Sequence, residues 1–188
     1  MAYIEKNELL LKSYLTSSSE VFNSYYTAKE DYLLTQRTLI SMVDREKKVV
    51  LVPMTDMTTA LSRRKAKLVD IAVDMGYKVL PVPFERKTMD KPSNDLILKR
   101  FESIMNSASI GNELALATNR KTFNNAFSRY SDFVDFLGTK PKNFEKFEAI
   151  SKNIEDTNYI RRLQANRRKF EKNKDTLYDE VLQEHDFD

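Results

Sequence analysis

Two short extended segments on either side of a helical pattern constrain the fold more than any other feature. The first, 49–52 (VVLV), is a run of mainly β-branched residues that a proline ends. The second, 78–84 (KVLPVPF), contains two prolines, which cannot donate to a sheet and therefore suit an edge strand or a strand end. Between them, Thr55-Asp56 can cap a helix whose apolar residues recur at helical spacing until Gly76. This order predicts a βαβ element.

Helical patterns are predicted on both sides of this element. Residues 5–45 are predicted to form two helices, the second opened by a capping box of Ser17 and Glu20. In 92–185, apolar residues again recur three to four positions apart, and Gly138 marks a helix end. The predicted fold class is therefore mainly α (α+β), with helical hairpins at both ends flanking a small βαβ element. Two strands alone are only marginally stable, so this element needs packed helices, a third strand or a partner.

The same patterns divide the chain into three regions. We predict an N-terminal helical segment at 1–46, a βαβ-like element at 47–90, and a C-terminal helical region with a charged last helix at 91–188. A chain of 188 residues is long enough for one ordinary domain or two small modules, and it can bury most of its apolar surface without disulfides.

The residue types that the chain lacks argue against several kinds of active site. Because there is no cysteine, disulfides, thiolate nucleophiles and cysteine-bound metals are excluded. The single histidine, His185, argues against a Ser–His–Asp triad and against a histidine-based zinc site. The three glycines form neither a Walker loop nor a dinucleotide-binding loop. We therefore predict no catalytic residue, no metal site and no cofactor.

The apolar segments are too short to predict a membrane partner. No apolar run approaches the roughly 18 residues that cross a bilayer. Residues 1–11 mix charged with apolar side chains, unlike a signal peptide. We expect the protein in the cytoplasm or inside a virus particle. Its richness in Asn, Lys, Tyr and Phe, without Trp or Cys, is typical of AT-rich bacterial or phage coding and favours a phage accessory or virion protein.

Charge is the strongest local signal, and it lies in the last predicted helix, from about 157 to 182. Segment 161–174 contains seven basic residues and one acidic residue, a net charge of +6, whereas the whole chain has only +3. Such a run favours binding to nucleic-acid phosphates over docking on an acidic protein, and it is rarer as a merely solvated helix. The predicted contacts in this helix are Arg161, Arg162, Arg167, Arg168, Lys169, Lys172 and Lys174.

An acidic block follows the basic segment directly. Residues 175–188 contain six acidic residues and no Lys or Arg, a net charge of −6. Adjoining blocks of opposite charge can meet in two ways. The end after about residue 183 can curl back over the basic segment, or two copies can pair antiparallel, which would make the protein a homo-oligomer.

Two further basic clusters are candidate contacts. One lies in the helix of the βαβ element and consists of Arg63, Arg64, Lys65 and Lys67. The other consists of Arg120, Lys121 and Arg129, with Phe123 and Phe127 among them. Basic residues interleaved with aromatic rings can bind single strands by stacking, but these rings fall at helical core spacing, which favours packing. Packing is also favoured for Tyr25, Tyr26 and Tyr32.

A Glu-x-Lys pattern at 85–87 raises the question of catalysis. Together with Asp70 and Asp74 upstream, it resembles the carboxylate-plus-lysine arrangement of the PD-(D/E)xK nucleases over about 20 residues. The resemblance implies that Glu85 and an upstream acid hold Mg²⁺ and that Lys87 orients water. In that family the upstream acid lies on a strand, whereas Asp70 and Asp74 are predicted on a helix. A metal-dependent nuclease is therefore the third hypothesis.

Charge and the excluded chemistries together favour a binding protein over an enzyme. We predict a non-enzymatic nucleic-acid-associated protein that acts in a larger viral or replication assembly with protein partners, and DNA is the expected nucleic acid. The alternative is a structural or adaptor subunit whose charged last helix docks on another protein.

Overall fold

The computed structural model describes residues 3–54, 57–84 and 91–185, except for the side chains of 3–5 and 175–185. The chain forms two compact units, Met1–Phe101 and Glu102–Asp188, and the division falls within one helix. Six α-helices and a six-stranded mixed sheet occur in the described residues, so the predicted α+β class is confirmed. The predicted helical hairpin at the N-terminal end is wrong.

The first unit contains the whole sheet. Its elements are α1 (Tyr3–Thr16), β1 (Val21–Phe22), β2 (Thr27–Lys29), β3 (Tyr32–Thr35), β4 (Thr38–Asp44), β5 (Val49–Pro53), α2 (Thr59–Asp74), β6 (Lys78–Val82) and the first part of α3 (Asn94–Ser109). The strands lie side by side in sequence order. β1 to β5 pair antiparallel, whereas β5 and β6 pair parallel.

Four short strands replace the helix that was predicted to start near Ser17. The Ser17 hydroxyl oxygen accepts from the Ser19 backbone N–H at 3.0 Å, which makes a local turn instead of a helix cap. The Glu20 carboxylate lies 3.6 Å from Lys29 Nζ. Nearly every residue of β3 and β4 is buried, so apolar residues do not alternate along these strands as they do in a half-exposed sheet. Without this alternation, the spacing of the apolar residues in β3 and β4 also fits a helix.

β5, α2 and β6 occupy the segments where strand, helix and strand were predicted. Val49 pairs with Lys78, and Pro53 pairs with Val82. α2 is capped by Thr58, whose hydroxyl oxygen accepts from the Leu61 backbone N–H at 3.5 Å. The predicted cap, 55–56, lies outside the described residues. The two strands do not form a small separate element, because β4 pairs with β5 and supplies the third strand that such an element needs.

A buried tyrosine joins α1 to the sheet. The Tyr14 hydroxyl donates to the Asp31 carbonyl oxygen at 3.2 Å and accepts from the Ser41 hydroxyl at 3.0 Å. Nearby, the Tyr77 hydroxyl donates to the Leu15 carbonyl oxygen at 2.5 Å. Burial raises the pKa of Tyr14 above its ordinary value, because the phenolate would lose hydration there.

The raised pKa of Tyr14 predicts a loss of stability in alkali. The unfolded tyrosine ionises near pH 10, whereas the folded one keeps its proton, so the free energy of unfolding falls above pH 10. In urea unfolding, we expect the stability difference between the wild type and Tyr14→Phe to shrink by about 1.4 kcal/mol from about pH 9 to pH 11. A difference that stays constant over this range would contradict a buried, neutral Tyr14.

In the described residues of the second unit, all regular elements are helices. It contains the rest of α3, a 3-10 turn at Glu113–Ala115, α4 (Ala117–Leu137), α5 (Phe144–Ile154) and α6 (Thr157–His185). Gly138 ends α4 in a left-handed conformation, φ 75°, as predicted. The core is aromatic, and its fully buried rings are Phe123, Tyr130, Phe133 and Phe147. α6 contacts α5 and the 3-10 turn.

Candidate functional site

Five basic side chains of α6 lie on one exposed face of the helix. These residues, here called the basic stripe, are Arg161, Arg162, Arg168, Lys169 and Lys172. At about 100° per residue they fall within an arc of about 120°, and they span about 16 Å along the axis. All five are exposed. From 158 to 173 the other residues within this arc are Asn158 and Ala165, so it carries no acidic side chain in this described segment.

The remaining two predicted basic contacts lie on another face of α6. Arg167 is half-buried, and its Nε donates to the Glu171 carboxylate at 2.8 Å while NH1 lies 3.5 Å from Glu113 Oε2. The hydrogen bond to Glu171 and the nearby Glu113 raise the pKa of Arg167. Lys174, seven residues further along, lies on the same side. The positive charge of Arg167 is therefore opposed by two carboxylates.

An apolar cavity lies beside this ion pair. Its volume is about 410 Å³, and it is lined by Ile110, Gly111, Asn112, Glu113, Arg167, Phe170, Glu171 and Lys174. The Ile110 and Phe170 side chains are 70% and 66% exposed. Such large apolar side chains are usually buried, so two of them beside one cavity mark a surface that another molecule can cover. The exposure of Phe170 was not predicted from the sequence.

The basic cluster of α2 differs from the stripe because part of it supports the fold. Arg64 NH1 donates to Thr35 Oγ1 at 2.6 Å, and its guanidinium lies 4.7 Å from the centre of the Tyr25 ring. Lys65 Nζ donates to the Pro53 carbonyl oxygen at 3.0 Å. Arg63, Arg64 and Lys67 line a cavity of about 280 Å³.

The third cluster packs only in part within the second unit, because Lys121 is exposed. Arg120 NH1 donates to the Leu114 and Ala115 carbonyl oxygens at 2.9 and 2.7 Å. Phe123 is fully buried, and its ring centre lies 6.4 Å from that of Phe127. The prediction that Phe123 packs in the core is confirmed.

The residues that raised the nuclease hypothesis are only partly described. Asp70 and Asp74 lie on α2 and are exposed, so their predicted helical placement is confirmed. Glu85 and Lys87 lie outside the described residues, as do the side chains of His185 and of the acidic block. Within the described part of the chain, no group of three or more His, Asp or Glu side chains is placed to hold a metal ion.

Comparisons with family models, with curated proteins and with solved structures find no significant match to this chain. None of the helices described here combines the length and the apolar character needed to span a bilayer. Function therefore has to be inferred from the geometry and charge of the chain itself.

Proposed function

We propose that this chain is a non-enzymatic nucleic-acid-binding protein and that the basic stripe of α6 is its contact surface. The observation that carries the proposal is the segregation of charge on α6. The five exposed cations occupy one face, whereas the half-buried Arg167 lies on another face between Glu113 and Glu171. A row of cations on one side of a rod can follow a line of backbone phosphates.

The stripe suits phosphates better than bases. Contacts to phosphates fix a protein on DNA without reading its sequence, whereas base recognition needs side chains that enter a groove in defined pairs. The stripe consists of long, flexible cations. We therefore infer binding that tolerates sequence, with DNA as the expected nucleic acid. A role in a phage or virion assembly, suggested by composition, is part of the proposal.

The direct test is titration of fluorescent duplex and single-stranded DNA with the whole chain, at low salt and with anisotropy as the signal. We expect binding to both A·T-rich and G·C-rich duplexes, with affinities within about threefold of each other because no base is read. If the chain binds none of these DNAs, the proposal is excluded.

A second candidate function is that of a structural subunit that associates with itself through α6. It is favoured by the exposed Ile110 and Phe170 beside the 410 Å³ cavity. It is also favoured by the sequence charges, since an antiparallel pair would set the basic segment 161–174 against the acidic block 175–188. Burial of the apolar side chains and salt-sensitive ion pairs would then both stabilise the pair of chains.

Self-association predicts a change of mass in Phe170→Ser. If two copies cover Phe170, light scattering should show the mass of two chains for the wild type and of one chain for Phe170→Ser. Phe22→Ser is the matched control, because Phe22 is 77% exposed in the other unit and should leave the mass unchanged. A wild type that stays monomeric at every concentration would eliminate this second candidate.

A further inference from the structure

A small cavity in the first unit brings three cations together with two tyrosines. It is lined by Asn7, Tyr25, Tyr26, Arg63, Arg64 and Lys67, and its volume is about 280 Å³. Asn7 comes from α1, the tyrosines from the segment between β1 and β2, and the three cations from α2. Here this cavity is called the α1–α2 pocket. It belongs to a different unit from the basic stripe.

The wall formed by Asn7 and the tyrosines is fixed by one asparagine. Asn23 Oδ1 accepts from the backbone N–H groups of Tyr25 and Tyr26 at 2.8 and 2.9 Å. Asn23 Nδ2 donates to Asn7 Oδ1 at 2.8 Å. Because Asn7 uses its oxygen in this bond, its amide NH₂ is the group that can donate to a ligand. The chain therefore orders this wall before any ligand binds.

Arg64 is also oriented in advance. The Thr35 hydroxyl accepts from Arg64 NH1 at 2.6 Å and donates to the Tyr25 carbonyl oxygen at 2.6 Å, and Thr35 is buried. The stacking of the guanidinium on Tyr25 fixes its plane. A guanidinium has five N–H donors, so the bond to Thr35 leaves others that can reach an anion. Binding would then cost less side-chain entropy than with a mobile arginine.

The charge of the pocket selects the class of ligand. Arg63, Arg64 and Lys67 lie within about one turn of α2 and together carry three positive charges. Two acidic side chains are near Lys67. Glu8 is paired with Lys12 at 2.9 Å, and Asp70 lies three residues further along α2. Three cations match a dianion better than a monoanion, and a phosphate monoester carries about −1.5 to −2 charges at pH 7.

We propose that the α1–α2 pocket binds a phosphomonoester group. Its volume lies just below the range of about 300–1,000 Å³ that is usual for pockets that enclose a whole drug-sized ligand. The phosphate and the atoms next to it enter the pocket, and the rest of the ligand stays outside. Two sources supply this chemistry, a free mononucleotide or the 5′-phosphate at the end of a nucleic-acid strand. The proposal does not rest on nucleic-acid binding by α6.

The test is calorimetric titration of the whole chain with four probes at millimolar concentration. They are inorganic phosphate, adenosine 5′-monophosphate, and one short oligonucleotide in two forms, with and without a 5′-phosphate. We expect the monophosphate to bind and the double variant Arg63→Gln/Lys67→Gln to weaken that binding at least about tenfold, since two of three cations are lost. The double variant Lys48→Gln/Lys99→Gln changes the net charge equally at exposed positions of the same unit and should bind normally.

Each outcome of this test decides the proposal. A 5′-phosphorylated oligonucleotide that binds more tightly than the monophosphate assigns the pocket to strand ends, and the reverse order assigns it to free nucleotides. Both orders support a phosphomonoester site. No binding of any phosphorylated probe overturns it. Equal binding of the two oligonucleotide forms also overturns it when the monophosphate does not bind. Normal binding by Arg63→Gln/Lys67→Gln also overturns it. A variant with glutamine at all five stripe positions should still bind phosphomonoesters in the α1–α2 pocket. Failure of the pocket proposal can therefore be distinguished from failure of the α6 proposal.

Discussion

Replacing all five residues of the basic stripe with glutamine is expected to weaken DNA binding about 70- to 5,000-fold at constant salt. Each exposed cation–phosphate contact contributes about 0.5–1 kcal/mol, and five contacts act together. Glutamine has a helix propensity close to those of arginine and lysine, so α6 should persist. The substitutions are Arg161→Gln, Arg162→Gln, Arg168→Gln, Lys169→Gln and Lys172→Gln. Anisotropy titrations measure the affinity, and circular dichroism checks the helix.

The control for the stripe variant removes the same charge from exposed positions of the second unit that lie outside α6. Lys121, Lys140, Lys142, Lys146 and Lys152 are all exposed and lie outside α6. Their replacement by glutamine lowers the net charge by the same five units, so any loss from overall charge alone would be equal in both variants. We expect this control to lose less than about tenfold, because exposed charges away from the contact surface are screened by salt. Equal losses in both variants would show that the stripe is not a site.

Phe147→Ala is expected to destabilise the second unit by about 3–5 kcal/mol. The Phe147 side chain is fully buried, and its ring centre lies 6.3 Å from that of Phe123 and 6.1 Å from that of Tyr130. Truncation loses this burial and leaves a cavity among rings that cannot all move to fill it. Urea unfolding followed by circular dichroism measures the change.

The matched control is Phe170→Ala, the same substitution at a ring that is 66% exposed. It should cost less than about 1 kcal/mol, because little apolar surface leaves water when this unit folds. The comparison also decides what the aromatic residues of the unit do. If Phe147→Ala were as harmless as Phe170→Ala, the aromatic residues would not form a packed core, and a stacking role would have to be reconsidered.

The segments of the sheet that could be predicted from sequence are those with unambiguous local chemistry. Residues 49–52 are mainly β-branched and continuous, and they form β5. β3 and β4 were missed because both are buried along nearly their whole length. The turn between them places Gln36 and Arg37 at φ 49° and 62°, a conformation in which glycine or asparagine is expected. The turn therefore contains no residue type that would predict this hairpin from the sequence.

The charge of the candidate surfaces could be predicted from the sequence, but the residues that their side chains contact could not. Helical periodicity separates Arg167 from the stripe, yet its ion pair with Glu113 joins residues 54 positions apart, which no local pattern indicates. The α1–α2 pocket was missed for a different reason. Tyr25 and Tyr26 were predicted to lie on a helix, whereas they lie between β1 and β2 and line the pocket together with Arg63 and Lys67.

The most direct test of the central claim is the salt dependence of duplex binding by the wild type. Five stripe cations that neutralise phosphates should release counterions, so the logarithm of affinity should fall linearly with the logarithm of salt concentration, with a slope of about −4 to −5. Between about 50 and 200 mM salt, the affinity should fall several-hundredfold. Salt-independent binding, or no binding even at low salt, would contradict the assignment of the basic stripe as a nucleic-acid interface.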